Sequence, residues 1–367
     1  MSSTITVQIK AAIAKAVITK TIDLQAPLGF YYAFFYIAPV VQSQYRLATS
    51  LPPAVVWKLN LGFQYNCSEA DQMKDPYQVI HDTTFRLLKM AATVLPKDVE
   101  EALKAAHERE TNETAKTQLS AILTNMEIAE TGVPMCQDTG IMIFYVKVGE
   151  KFPFIGEIKQ ALTEGTRKAT AEVPLRPNAV NPIVGGNSGD NTGVKIPWIN
   201  WEIVEGDSLE ITAFPKGGGS ENVCIVGMLK PGVGLTGVKK LVVDNAMNYM
   251  GKACAPNIIG VGIGGGSDIA IKIAKQQLMR PLSDTHPEPE VAKIEEEIME
   301  AINTTGIGPM GLGGSTTVLG VKVDYAMRHP ASLPVGVAVQ CWAARQSKAV
   351  ISKDLKVTYV THPVEEN

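Results

Sequence analysis

The residues with the widest chemical latitude in this 367-residue chain are five cysteines, Cys67, Cys136, Cys224, Cys254 and Cys341. They are far apart and odd in number, which does not read as a disulfide framework. Each can be a buried small hydrophobe or a thiolate ligand to a soft metal centre in a reducing compartment. Context divides them. Cys136 lies in a polar loop before a strand, Cys254-Ala255-Pro256 separates a helix from a strand, and Cys341 follows a strand. Cys224 falls inside the apolar run Val223 to Met228 and reads as core. Cys67 belongs to an N-terminal stretch unlike the rest. Ligands on three separate segments leave no local C-x₂-C signature, so spacing alone does no more than suggest a metal centre.

Five glycine-dense or polar loops accompany the cysteines: Cys136 to Gly140, Gly185 to Gly193, Lys216 to Asn222, Gly260 to Ser267 and Gly311 to Ser315. Bare backbone N–H groups in such turns form nests for anions, whether carboxylate, phosphate or an iron–sulfur cluster. Gly260 to Gly265 formally satisfies G-x-G-x-x-G between a strand and a helix. It lacks an evident second βαβ half, and Asp284 stands beyond a Pro and Ser interruption, so a nicotinamide site is disfavoured. Lys216 to Asn222 lacks the Walker spacing.

The elements that must position these loops are legible from Pro76 onward. His81 to Ala92, Pro96 to Ala106 and Asn112 to Ala129 read as three helices forming an N-terminal helical cap. Ile141 to Val148, Asn257 to Ile263, Val318 to Val323 and Val335 to Gln340 read as strands. Trp198 to Phe214 reads as a hairpin turning at Glu205-Gly206-Asp207. Glu157 to Ala169, Leu235 to Met250, Asp268 to Leu278 and Glu288 to Ile302 read as helices. The fold class expected is mixed α/β, with mixed sheets and flanking helices around the glycine loops. Composition agrees: 45% hydrophobic residues are ample for a core, and a net charge of −3 without a basic cluster argues against nucleic acid. The longest apolar run, Ala26 to Val41, is interrupted by Pro27 and Pro39, which argues against a membrane span. The whole is that of a soluble, cytoplasmic enzyme.

Residues 1–72 are acid-poor and carry a dense aromatic cluster, Gly29 to Ile37. Met73-Lys74-Asp75 would make a natural start, so this stretch is expected to be an over-extended N-terminus. A targeting segment or a genuine extension are the alternatives.

Cys136-Gln137-Asp138-Thr139-Gly140, together with Lys216 to Asn222, Cys254-Ala255-Pro256 and His329-Pro330-Ala331-Ser332-Leu333-Pro334, resembles class I iron–sulfur fumarate hydratase. More narrowly it resembles the α subunit of the two-subunit form, which is related to the L-tartrate dehydratase α subunit. The resemblance runs from about Asp75 to Ser352. It implies that Cys136, Cys254 and Cys341 hold a [4Fe–4S] cluster with one iron open to a small dicarboxylate substrate. It implies Asp138 and His329 as catalytic residues, with Asp138 assigned to acid–base work, and Gln137, Arg176, Gly218 and Gly219 as substrate contacts. Single-chain members add a C-terminal domain, whereas this sequence runs 26 residues past Cys341. The expectation is therefore a cluster-binding domain over 73–352, a tail over 353–367, and a separate β subunit in an assembly of two α and two β chains. The activity implied is reversible hydration of fumarate to (S)-malate. Dehydration of L-tartrate is the nearest rival, and a non-catalytic iron–sulfur protein the rival of another class.

Overall fold

A computed structural model describes residues 75–362; the expected N-terminal extension, with Cys67, lies outside them. Helix α1 (Pro76–Thr93) starts where the Asp75 carboxylate accepts the Tyr77 N–H at 3.1 Å and proline takes the first turn. Its Ile80, Leu87, Leu88 and Ala91 recur at helical spacing and are buried. Helix α2 (Lys97–Arg109) carries Asp98 and Glu100 against its N-terminal dipole. Helix α3 (Glu113–Glu130) is capped by Asn112 Oδ1, which accepts from the Ala115 N–H at 3.0 Å.

The chain continues through β1 (Ile143–Gly149), α4 (Ile155–Glu172), β2 (Trp198–Val204), β3 (Leu209–Ala213), a short α5 (Gly218–Glu221) and β4 (Ile225–Leu229). Then come α6 (Gly234–Tyr249), β5 (Asn257–Gly265), α7 (Ser267–Gln277), α8 (Pro289–Asn303), β6 (Val318–Arg328), β7 (Leu333–Gln340), β8 (Ser347–Ile351) and β9 (Val357–Tyr359). Two mixed sheets form, ordered β2-β1-β3-β8-β9 and β4-β7-β5-β6. The class is mixed α/β. Among the described residues no helix is long and apolar enough to cross a membrane.

Three apolar cores hold these layers. In the first, α1 and α4 cover the first sheet through Leu87, Leu88, Leu162, Phe144 and Ile211. In the second, α6 and α8 cover the other sheet through Val242, Ile298, Val321 and Val337. The third gathers α2, α3 and α7 around Phe214, Ile258 and Trp342. The N-terminal helices serve two cores, α1 the first and α2 and α3 the third.

Two expectations change. Strands β2 and β3 do not pair as a hairpin, because β1 lies between them, parallel to β2 and antiparallel to β3. Their link wraps the end of β1, with the Gly149 N–H donating to Ser208 O and the Lys151 N–H to Gly206 O. Four residues readily span two strand spacings of about 4.8 Å each, so the turn signal fixes a reversal but not a partner. The Gly260–Gly265 motif, in turn, lies inside strand β5. A Cβ at Gly260 would meet Ala274 O at 2.0 Å, and one at Gly262 would meet Ala270 O at 2.1 Å. These glycines let α7 lie directly on the sheet, a packing role and not a phosphate loop. Within the stretch read as a tail, β9 pairs antiparallel with β8.

Candidate active site

Sheet register brings two of the cysteines together. Strands β5 and β7 are antiparallel with Ile258 opposite Gln340. The loop before Asn257 and the residue after Gln340 therefore emerge at the same end, and these carry Cys254 and Cys341. The Trp342 N–H donates to Cys254 O at 3.2 Å, joining the two loops directly. Cys254 is exposed and left-handed, with φ 52° and ψ 67°. That conformation costs a non-glycine residue about 1–3 kcal/mol, so its surroundings must impose it. They do so through its own N–H to Gly251 O and the Met310 N–H to Ala255 O, both 3.0 Å.

Cys136 lies in the loop between α3 and β1. Met135 is pinned by its N–H to Ala92 O (2.9 Å) and by Asn125 Nδ2 donating to its carbonyl (2.8 Å). A bridge between Ile141 and Lys216 then ties this loop to the Lys216–Asn222 loop. Cys136 and Cys341 are half-buried against the third core. The Lys216–Asn222 loop also reaches the Cys254 loop, since a Cβ on Gly219 would lie 3.6 Å from Lys252 O. Burial pushes the Cys254 thiol up, Cys341 and Cys136 push it further, and Arg345 opposes them. Cys224 is half-buried against the third core, its thiol donating to Ser220 O at 3.2 Å, accepting from the Val339 N–H at 3.4 Å and pushed up by burial.

Asp138 is the most firmly oriented side chain of the group. Oδ1 accepts from the Gly140 N–H at 2.9 Å and Oδ2 from the Gly218 N–H at 2.7 Å. The Gly218 N–H is thus engaged with the carboxylate, while Gly218 and Gly219 stand exposed at the start of α5. Gln137 is exposed beside Cys136. Arg176 is exposed too, and its carbonyl accepts from Thr139 Oγ1 at 3.2 Å, which places its segment against the Asp138 loop. Asn178 completes that stitch, its Nδ2 donating to Gly140 O at 3.0 Å. His329 is not brought to this group. It sits exposed in the β6–β7 turn, its Nδ1 accepting from the Ala331 N–H, at the far end of β7 from Cys341. Eight strand residues at about 3.3 Å each put roughly 25 Å between them.

Two cations that the motifs do not single out lie inside this site. The Lys216 side chain has no exposed surface; its Nζ donates to Ser220 Oγ at 2.7 Å and lies 3.5 Å from Glu221 Oε2. Burial lowers its pKa, opposed by Cys224, Glu221 and Cys341. Arg345 is 2% exposed, and its Nε and Nη1 have no hydrogen-bond partner among the described residues. A Cβ on Gly217 would meet Arg345 Nη2 at 2.7 Å and Asp138 Oδ2 at 3.2 Å, so only glycine leaves room for this guanidinium beside that carboxylate. Nothing in the local sequence Ala343-Ala344-Arg345-Gln346 announces a buried charge.

Among the described residues, no three His, Cys, Asp or Glu side chains close on a single metal ion. A four-iron cluster makes a different demand, since each cysteine takes its own iron and the thiols stand apart around the cluster. Three thiols from three loops, with two buried cations near them, fit that demand in donor type and charge.

The sequence pattern described as fumarate hydratase (Fumerase) matches residues 81–350. A Methanocaldococcus jannaschii protein with the provisional name L(+)-tartrate dehydratase subunit alpha is 45% identical, over 76% of this chain and 99% of its own length. L(+)-tartrate dehydratase subunit alpha of Escherichia coli O157:H7 is 37% identical over 74% of this chain and 91% of its own, and that of strain K12 is 36% identical over the same shares. These likenesses define an enzyme of the hydro-lyase class. The chain belongs to the fumarate hydratase (Fumerase) family.

Proposed function

We propose that this chain is the cluster-binding α-type subunit of a cytoplasmic hydro-lyase that adds water reversibly to fumarate, giving (S)-malate. The observation that carries the reading is the meeting of the Cys136, Cys254 and Cys341 loops beside the doubly held Asp138. In this reading the three cysteines hold a [4Fe–4S] cluster, which when bound supplies an iron without a protein ligand as a Lewis acid for carboxylate and hydroxyl.

The chain's own residues supply the rest. Asp138, oriented by two backbone N–H groups, accepts a proton from the substrate carbon on dehydration and returns it on hydration. Arg176 offers a planar fork to a carboxylate from a segment fastened to the Asp138 loop. Gln137 and the Gly218–Gly219 backbone line the same exposed face and contact the substrate. His329 stands too far along β7 to share this work within one chain, which leaves proton transfer here to Asp138.

Dehydration of L-tartrate to oxaloacetate is a second reading, favoured by the names of the relatives. Removal of water from a hydroxylated four-carbon diacid is common to both. The relatives' designation as α subunits also supports a β subunit that completes the site, in an assembly of two α and two β chains. The test is an anaerobic assay of the chain on fumarate and L-tartrate, alone and co-expressed with a β-type partner. Activity only in the pair is expected, and the ratio of kcat/KM on the two acids decides the substrate. Full activity of the chain alone, or none on either acid from the pair, would overturn the reading.

A further inference from the structure

The Arg345 guanidinium is 2% exposed, and two of its nitrogens are sealed from water without an acceptor. Taking a cation out of water costs several kcal/mol unless an anion or hydrogen bonds compensate it. A protein keeps such a group where something not belonging to the chain completes it.

Other arginines of this fold show what a purely structural solution looks like. Arg280 donates to the Asp284 and Glu295 carboxylates, both at 2.8 Å, so two anions neutralise it although its Nη2 has no partner among the described residues. Arg328 satisfies its Nη1 on the carbonyls of His329, Pro330 and Ser332. Arg345 has neither arrangement, although a carboxylate, Asp138, lies across Gly217 from it. That carboxylate is already held by Gly140 and Gly218. Arg345 instead stands against the cysteine loops: its backbone N–H donates to Ala343 O at 2.8 Å, the carbonyl that also accepts from Cys341 Sγ at 3.6 Å, and the adjoining Trp342 N–H donates to Cys254 O at 3.2 Å. Three thiolates on one cluster are a concentration of negative charge that a buried cation balances.

We infer that Arg345 is a positioning residue for the iron–sulfur cluster: its buried positive charge compensates the three-thiolate ligand set and raises the cluster's reduction potential. The inference rests on the proposed cluster reading and goes beyond it, because cluster binding alone requires only the cysteines. A cation beside a cluster favours the reduced, more negative form, so its removal lowers the potential. In the cluster-free chain the same charge is uncompensated, so its removal there is neutral or stabilising.

The test compares wild type with Arg345→Gln, Arg345→Met and Arg345→Lys in the full chain co-expressed with its partner. Midpoint potentials are read from anaerobic, cluster-loaded protein by electron paramagnetic resonance. Thermal midpoints are read after removal of iron by chelation. A downward shift of potential in Arg345→Gln and Arg345→Met, a smaller one in Arg345→Lys, and cluster-free melting at or above wild type are expected. Unchanged potentials would overturn the inference; so would an unchanged potential with a raised KM, which would assign the guanidinium to a substrate carboxylate. Destabilised cluster-free variants would also overturn it, by making Arg345 an ordinary structural residue. A wild-type protein that loads no cluster would bring down the underlying reading and this inference together, an outcome distinct from the others.

Discussion

The two ends of the β4-β7-β5-β6 sheet are built from the same strands and solve the burial of polar groups in opposite ways. At the β6–β7 turn, Arg328 donates to three turn carbonyls and His329 accepts the Ala331 N–H, all within five residues and all exposed. At the other end, where β5 begins and β7 finishes, unpartnered atoms collect. Asn257 Oδ1, both side-chain polar atoms of Gln340, and Nε and Nη1 of Arg345 are buried without hydrogen bonds among the described residues. Cys254 beside them is left-handed, and its loop is held by Gly251, Met310 and Trp342. A chain occupied only with folding satisfies its polar groups from its own atoms. Unsatisfied groups and imposed strain gathered at one end mark the place where a ligand finishes the structure.

The difference can be tested by asking which end each function depends on. The largest effect is expected from Asp138→Asn. Replacing the carboxyl by an amide while keeping the side-chain shape should lower kcat about 10²–10⁴-fold, as loss of a general acid–base does, with little change in melting temperature.

Glycine substitutions contrast the two ends by packing. A Cβ on Gly251 would lie 2.3 Å from Met310 O, forcing apart the loops that hold Cys254. Gly251→Ala should cost about 1–3 kcal/mol in urea unfolding. Gly232→Ala, in the turn between β4 and α6 with nothing within 4 Å, should be neutral or slightly stabilising. Equal costs at the two positions would contradict the account of the Cys254 loop.

The cysteine end is also braced from α2, and this brace depends on pH. Glu110 follows α2 and accepts from the Thr111, Asn112 and Ser315 N–H groups and from Ser315 Oγ. Burial pushes its carboxyl up, but these bonds outweigh it and hold the pKa below the ordinary glutamate value. Because the folded pKa is depressed, the stabilisation is complete above about pH 4.3, the unfolded value, and fades as pH falls through the lower folded one. Glu110→Gln should lose about 1–3 kcal/mol at pH 7 and progressively less toward acid, read as melting temperature against pH. A loss that is the same at all pH values would refute the assigned cause. Smallest of all, Arg328→Gln at the far end should change stability by less than about 1 kcal/mol, since its partners remain open to water.

Much of this contrast was legible in the sequence, but not its decisive part. Helices α1 to α3 announce themselves through the apolar spacing of His81 to Ala92, through Pro96 and through Asn112, although α1 begins five residues earlier, at Pro76; β5 and β7 do so through apolar runs of strand length. The cysteine loops stand out because thiols, glycines and Asp138 share short segments. Partnering is another matter. Period-two patterning shows that Trp198–Val204 is a strand but not that β1 separates it from β3. Gly260 and Gly262 satisfy a phosphate-loop pattern, yet their lack of a Cβ serves helix contact. Arg345 reads as a surface cation until the fold encloses it, since burial of a charge depends on what lies across space from it. His329 belongs to a recognisable motif, but its distance from Cys341 depends on the length and direction of β7.

The central claim is that Cys136, Cys254 and Cys341 hold an iron–sulfur cluster and Cys224 does not. Iron and acid-labile sulfide content, measured per chain on anaerobically purified wild type and four single Cys→Ser variants, tests it most directly. Loss of the cluster in Cys136→Ser, Cys254→Ser and Cys341→Ser with wild-type content in Cys224→Ser is predicted. Full content in any of the first three, or its loss in Cys224→Ser from a folded protein, would contradict the claim.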